Sequence, residues 1–144
     1  MEMLQAASNE IKYFYPYFLS KNHLKQFVLI NDEQSSHFEF FEQIAYAIRP
    51  MVWASLELYH STGNEIYAKQ AGQLAAWLAG ENVLRRRIYD PQTGRCYDGI
   101  NSADKINVNS GAESTIEALL ILIEVEQNPD ANKHLQFTYQ RYQK

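Results

Sequence analysis

Between Ile116 and Val125 eight of ten residues are apolar, with only Glu117 and Glu124 breaking the run. A helix that is apolar nearly all round needs cover on most sides, so this stretch predicts a central helix with other elements packed around it. It is too short to span a bilayer. Just ahead of it, Ser110-Gly111-Ala112-Glu113 has capping-box spacing. The serine oxygen would accept the N–H three residues on, and Glu113 would reach back to Ser110 while favouring the positive end of the helix dipole. The rest of the chain is read against this helix.

Two bends precede it. Asp90-Pro91-Gln92-Thr93-Gly94 combines a turn-former, a proline with φ fixed near −65° and a glycine free to take positive φ, so the chain should reverse there. The β-tolerant flanks Ile88-Tyr89 and Arg95-Cys96-Tyr97 predict a short hairpin. Asp98-Gly99 marks a second reversal, followed by a polar connector.

Towards the N-terminus, residues 1–30 read as two helices. Leu4, Ala7, Ile11, Phe14 and Tyr15 keep a helical rhythm that Pro16 kinks or ends, and Leu24, Phe27, Val28 and Ile30 suggest a second, weaker helix. Asn31 to Ser35 is a polar connector. Ser36-His37-Phe38-Glu39 repeats the capping-box spacing, and Phe41, Ile44, Ala45, Ile48, Val52, Ser55, Leu56 and Tyr59 mark one buried face behind it. Pro50 predicts a kink there, or a helix restarted with Pro50 in its first turn. Tyr46, Arg49, Trp53 and Glu57 form a second stripe opposite, either packing against another layer or walling a ligand site. Gly63 is the expected left-handed cap. The small residues Ala68, Ala71, Gly72, Ala75, Ala76 and Ala79 predict a close-packed hairpin between the helices on either side of Gly63. Asn128-Pro129-Asp130 is a stop and a cap, and Ala131 to Tyr142 reads as a last helix. The fold class expected is therefore all-α, a single domain of antiparallel helical hairpins with one short β-hairpin near 88–100.

The totals exclude several function classes. With 144 residues and ordinary hydrophobic and charged fractions of 46% and 21%, the chain suits one globular domain. A net charge of −4 argues against nucleic acid, and Arg85-Arg86-Arg87 is too short to reverse that. The single Cys96 excludes an internal disulfide and suits a reducing compartment. Residues 1–10 carry no signal-peptide pattern, so a cytoplasmic protein with no membrane partner is expected. The histidines 23, 37, 60 and 134 are scattered, and no phosphate-binding loop is present, so neither a metal site nor a cofactor is expected.

Three segments taken in order carry a family likeness: IAYAIRPMVWASLELYHSTGNEIYAKQAGQLAAWLAGEN, then YDPQTGRCYDGI, then NVNSGAESTIEALLILIEV. Together they resemble the closing part of an (α/α) toroid of the six-hairpin glycosidase class, found in bacterial carbohydrate-active proteins. The likeness covers residues 36–127, with 1–35 as peripheral helices and 128–144 as a C-terminal helix. TGRCYDGI with NSGAESTIEALL is its most specific part. It implies that inner and outer helices alternate, that Ile116–Val125 is an inner helix, and that the loop before it lies at the sugar-binding end. A full ring needs about twice the helices that this chain holds. A partial ring would be completed by a larger chain or by self-association.

Glycoside hydrolysis generally uses two carboxyl groups flanking one bond. Asp90, Asp98, Asp104, Glu113 and Glu117 are the candidates in the central stretch. Asp90 reads as a turn residue. Asp98 and Glu113 are the candidate catalytic pair, against turn stabilisation for Asp98 and capping for Glu113. Glu113 and Glu117 lie one helical turn apart, a like-charge pair for which Arg95 is the expected cationic partner. Tyr46, Trp53 and Tyr97 would stack on a sugar, and Arg49 and Glu117 would bind it through polar contacts. The expected function is a carbohydrate-associated domain that binds a glycan or helps to process it, with incomplete catalytic machinery. The alternative is a non-catalytic interaction or assembly module.

Overall fold

A computed structural model describes residues 2–30 and 35–142. The chain is 60% helical with 14% strand in three small sheets, so it is mixed rather than all-α, and no toroid is evident. Six α-helices and seven strands follow one another: α1 (Glu2–Asn9), α2 (Tyr15–Ser20), β1 (Gln26–Ile30), β2 (Ser35–Glu39), β3 (Gln43–Ile44), α3 (Ile48–Thr62), α4 (Glu65–Ala79), β4 (Tyr89–Asp90), β5 (Arg95–Cys96), β6 (Gly99–Ser102), β7 (Lys105–Asn107), α5 (Ala112–Glu126) and α6 (Pro129–Arg141).

The helix at the centre is α4, not α5. Ten of the fifteen residues of α4 are buried, Trp77, Leu74 and Leu78 fully. Each such large apolar side chain contributes roughly 1.5–3 kcal/mol on removal from water. In α5 only Ser114, Ala118, Ile121 and Val125 are buried, while Ile116, Leu119 and Ile123 are 40–54% exposed. The expectation of a rod covered all round is corrected: α5 packs one face inward and turns an apolar stripe outward. The sequence pattern signals only that cover is available, and this fold has too few helices to supply it on both sides of α5.

The small residues of α4 serve α6. A Cβ on Gly72 would collide with the backbone of Ala131, so this glycine lets the two helix axes approach closely. Asn128 caps α6 by accepting from the N–H groups of Asp130 and Ala131 at 3.1 Å each, with Pro129 in the first turn. Gly63, at φ 68°, ends α3, and Pro50 sits in the first turn of that helix, after a 3₁₀ turn at Ala45–Ala47.

Pro16 acts differently from expectation. Helical backbone runs from Glu2 to Ser20, but residues Glu10–Phe14 form a π-helical turn. Within it the Tyr15 N–H bonds back to Glu10. In that register the Ile11 carbonyl would need an N–H from residue 16, and proline has none. The buried side chain of Gln70 donates to that carbonyl instead, at 3.0 Å.

The second helix expected within residues 1–30, and the capping start expected at Ser36–Glu39, are strands. Residues 26–30 and 35–39 pair antiparallel, with Phe27 opposite Phe38, and these rings stack at 5.3 Å. Phe14 and Tyr17 lie against Phe27 and Phe38 at 5.9 and 6.0 Å, so the hairpin is fastened to the N-terminal helices by aromatic contacts. Asn31 to Gln34, most of the expected polar connector, lie outside the described residues. The hairpin near 88–100 is present as β4 and β5. Gly99, however, does not reverse the chain. It enters β6 between β3 and β7, where a Cβ would collide with the Gln43 carbonyl.

Gly72→Ala tests the α4–α6 contact. Alanine gains about 1 kcal/mol of helix propensity, yet the added methyl meets backbone that cannot swing aside. We expect chemical denaturation to show a net loss of about 1–3 kcal/mol. Unchanged or increased stability would mean that α6 does not dock there.

Candidate functional site

Asp98 lies between β5 and β6 and bonds to two other segments, the turn at Ala45 and the stretch from Asn109 to Ser114. Its carbonyl accepts from the Ala45 N–H at 2.9 Å, and its own N–H donates to Asn109 at 2.8 Å. Its Oδ1 accepts from the Gly111 N–H at 3.0 Å and from the Ser114 hydroxyl at 2.7 Å. The start of α5 is thus capped by a residue distant in sequence. Gly111 is the N-cap residue and has no side chain to offer, so the local capping box expected at Ser110 and Glu113 is corrected. The Gly111 N–H and then the Ser114 hydroxyl hold the Asp98 carboxyl below the usual aspartate range. Among the described residues its Oδ2 takes no hydrogen bond.

This junction forms one wall of a polar cavity of about 260 Å³. Tyr46, Asp98 and Glu113 all line it. Tyr46 comes from the turn before α3 and is 42% exposed, and Glu113 lies in the first turn of α5. Glu42, Gln43, Asn101, Asn107 and Ser114 complete the polar lining. Sequence reasoning singled out none of these five. Ile100 and Ile106 pair across β6 and β7 and are buried, which leaves the alternate positions Asn101 and Asn107 for the other face. That period-2 signal is present in the sequence, but strands of four and three residues are too short for it to stand out.

The remaining candidates gather elsewhere. Arg49 reaches from α3 to α5 and pairs with Glu117 at 3.3 Å and Glu124 at 4.0 Å, while its guanidinium lies over Trp53 at 5.6 Å. Glu117 therefore has Arg49 as its cation. Arg95, the expected partner, instead donates to the Val108 carbonyl and lies over the Tyr97 ring at 5.4 Å. Burial raises the Glu124 carboxyl above its ordinary range, with the Arg49 charge pulling the other way. Trp53, 51% exposed, lines a separate hollow with Glu57, His60 and Glu124. The seven sequence candidates thus divide into three at the polar cavity, three at the α3–α5 seam, and Tyr97 beneath Arg95.

Of the other carboxylates, Asp90 accepts from the Gln92 N–H and the Thr93 hydroxyl inside its own turn, and Asp104 accepts from Ser102. Cys96 is fully buried, and burial pushes its thiol up to about 12, which leaves it unreactive. Among the described residues no group of three or more His, Cys, Asp or Glu side chains is placed to hold a metal, and no helix is long and apolar enough to cross a membrane.

No family model and no curated protein matches the chain.

Asp98→Ala tests the distant cap. Loss of an N-cap carboxylate costs about 1 kcal/mol. The folded-state pKa lies below the unfolded value of about 3.9, so the stabilisation is present above that value and disappears as pH falls through the folded pKa. Unfolding curves for the wild type and variant should differ at neutral pH and converge in acid. A constant gap across the whole range would show that the lost stability does not come from the ionised carboxylate.

Proposed function

We propose that this chain is a non-catalytic binding module for a polyhydroxylated ligand, a glycan being the class that the polar cavity fits. The observation that carries this reading is the convergence of Tyr46, Asp98 and Glu113 on one cavity with Asn101 and Asn107 beside them. Sugar recognition needs an aromatic face for the C–H side of the ring and planar acceptors and amides for its hydroxyls. The cavity supplies both and has room for one hexose-sized ring.

The state of Asp98 argues against its serving as the general acid of hydrolysis. A general acid must hold a proton near neutral pH, which needs a raised pKa. Asp98 is shifted the other way, and one of its oxygens is already taken by the α5 cap. It can accept ligand hydroxyls through Oδ2. The single buried thiol of Cys96 fits a reducing compartment, and we take the protein to act in the cytoplasm.

An oligosaccharide panel screened by calorimetry tests the reading. Tyr46→Ala should weaken binding about tenfold, the value of one lost stacking contact. Trp53→Ala, which lies at the separate seam, should leave it unchanged. If no sugar binds, or if Trp53→Ala is the variant that abolishes binding, the polar cavity is not a glycan site.

A second reading, an interaction or assembly module, is favoured by the outward stripe of Ile116, Leu119 and Ile123 on α5. In this reading a second copy of the chain covers the stripe. Light scattering should then show a concentration-dependent dimer that Ile116→Glu or Ile123→Glu returns to monomer. A wild-type protein that stays monomeric at high concentration contradicts it.

A further inference from the structure

A second cavity, of about 470 Å³, lies on the other side of the segment 42–46 and is bounded by the N-terminal helices, β1 and the start of α3. Glu42, Gln43, Ile44 and Tyr46 line both cavities, but the chemistry differs between them. The walls of the larger chamber are Phe14, Phe18, Phe27, Ile48 and Met51, and its exposed mouth includes Gln26, Tyr46 and Ala47. At organic packing density such a space holds roughly 15–20 non-hydrogen atoms.

Two buried polar side chains line this chamber, Gln43 and His23. His23 is only 3% exposed, and neither ring nitrogen has a hydrogen-bond partner among the described residues. Phe18 lies edge-on to the imidazole at 4.8 Å, and Trp77 is 6.3 Å away. The backbone of His23 is held at φ 69°, and Gln43 Nε2 donates to its carbonyl at 3.3 Å while Gln43 Oε1 accepts from the Trp77 indole at 3.0 Å. The main chain is therefore fixed, and the imidazole is left without a partner. Burial pushes it down to about 4, with the Glu81 charge and the nearby Asn22 backbone, too poorly aligned for a full hydrogen bond, opposing, so at neutral pH the ring is uncharged and offers one donor and one acceptor. His23 borders a second hollow as well, with Asn22, Gln73 and Glu81. Buried polar groups are normally paired, and an imidazole bordering an apolar chamber can take its missing partner from a ligand. Both ring nitrogens are buried. A turn of the ring about its Cβ–Cγ bond, a soft torsion, presents one of them.

We infer that this chamber is a binding site for a compact aromatic molecule carrying one hydroxyl, with the ring held among Phe14, Phe18, Phe27 and Met51 and the hydroxyl bonded to His23. The site is independent of the glycan reading, because its buried apolar lining and the imidazole lie outside the polar cavity.

The probe pair 2-naphthol and naphthalene tests it on the intact protein. They share a ring system and differ by the hydroxyl alone. We expect 2-naphthol to bind saturably at one site, shifting the methyl signals of Ile48 and Met51 and the ring nitrogen signals of His23 in NMR spectra. Naphthalene should bind about tenfold more weakly, the value of one buried hydrogen bond. His23→Phe should bring the two affinities together. Ala47→Trp, at the exposed mouth, should block both probes while leaving the unfolding midpoint unchanged, which covers the case in which the His23 variant fails to fold. Equal affinities for the two probes on the wild type, no saturable binding, or shifts confined to the polar-cavity residues would each overturn the proposal.

Discussion

The carboxylate of Asp98 is the constraint from which the polar half of this molecule follows. An α-helix begins with N–H groups that have no partner within the helix, and Gly111 cannot cap them itself. Asp98 supplies the acceptor across thirteen residues of chain, while its backbone ties the turn before α3 to the segment ahead of α5. One residue therefore sets the position of Tyr46, of Glu113 and of β6 relative to one another. The cavity lies where these three meet.

Gln43 plays the corresponding part on the apolar side. Its amide donates to the carbonyls of Asn22 and His23 and accepts from Trp77, joining the N-terminal loop to the last turn of α4 through one buried side chain. Segment 42–46 is thus held from both directions. It separates a chamber lined by aromatic rings from one lined by carboxylates and amides, and Tyr46 contributes to both.

Much of the helical frame was legible in the sequence, because α3, α4 and α6 have their stop and cap residues at Pro50, Gly63, Asn64, Gly80 and Asn128. The burial of α5 was not legible. Periodicity reports which residues prefer cover, and the number of neighbouring helices decides how many receive it. The pair β1 and β2 was misread because a short apolar run such as Phe27-Val28-Leu29-Ile30 fits helix and strand equally in length; its β-branched content was the signal to weigh more heavily. At the site, Tyr46, Asp98 and Glu113 were selected from the sequence, yet the reason they stand together was invisible there. A hydrogen bond between positions 98 and 111 leaves no local pattern. His23 carries no signal in the sequence, because its lack of a partner is a property of packing rather than of spacing.

The most direct test of this account is a carbon-13 NMR titration of the Asp98 carboxyl group in the intact protein. A carboxylate that caps α5 through Oδ1 must titrate below the ordinary aspartate value of about 3.9, and the Gly111 amide proton must move with it at the same midpoint. An Asp98 that titrates at or above the ordinary value, with the Gly111 amide unaffected, would contradict both the distant cap and the binding cavity built on it.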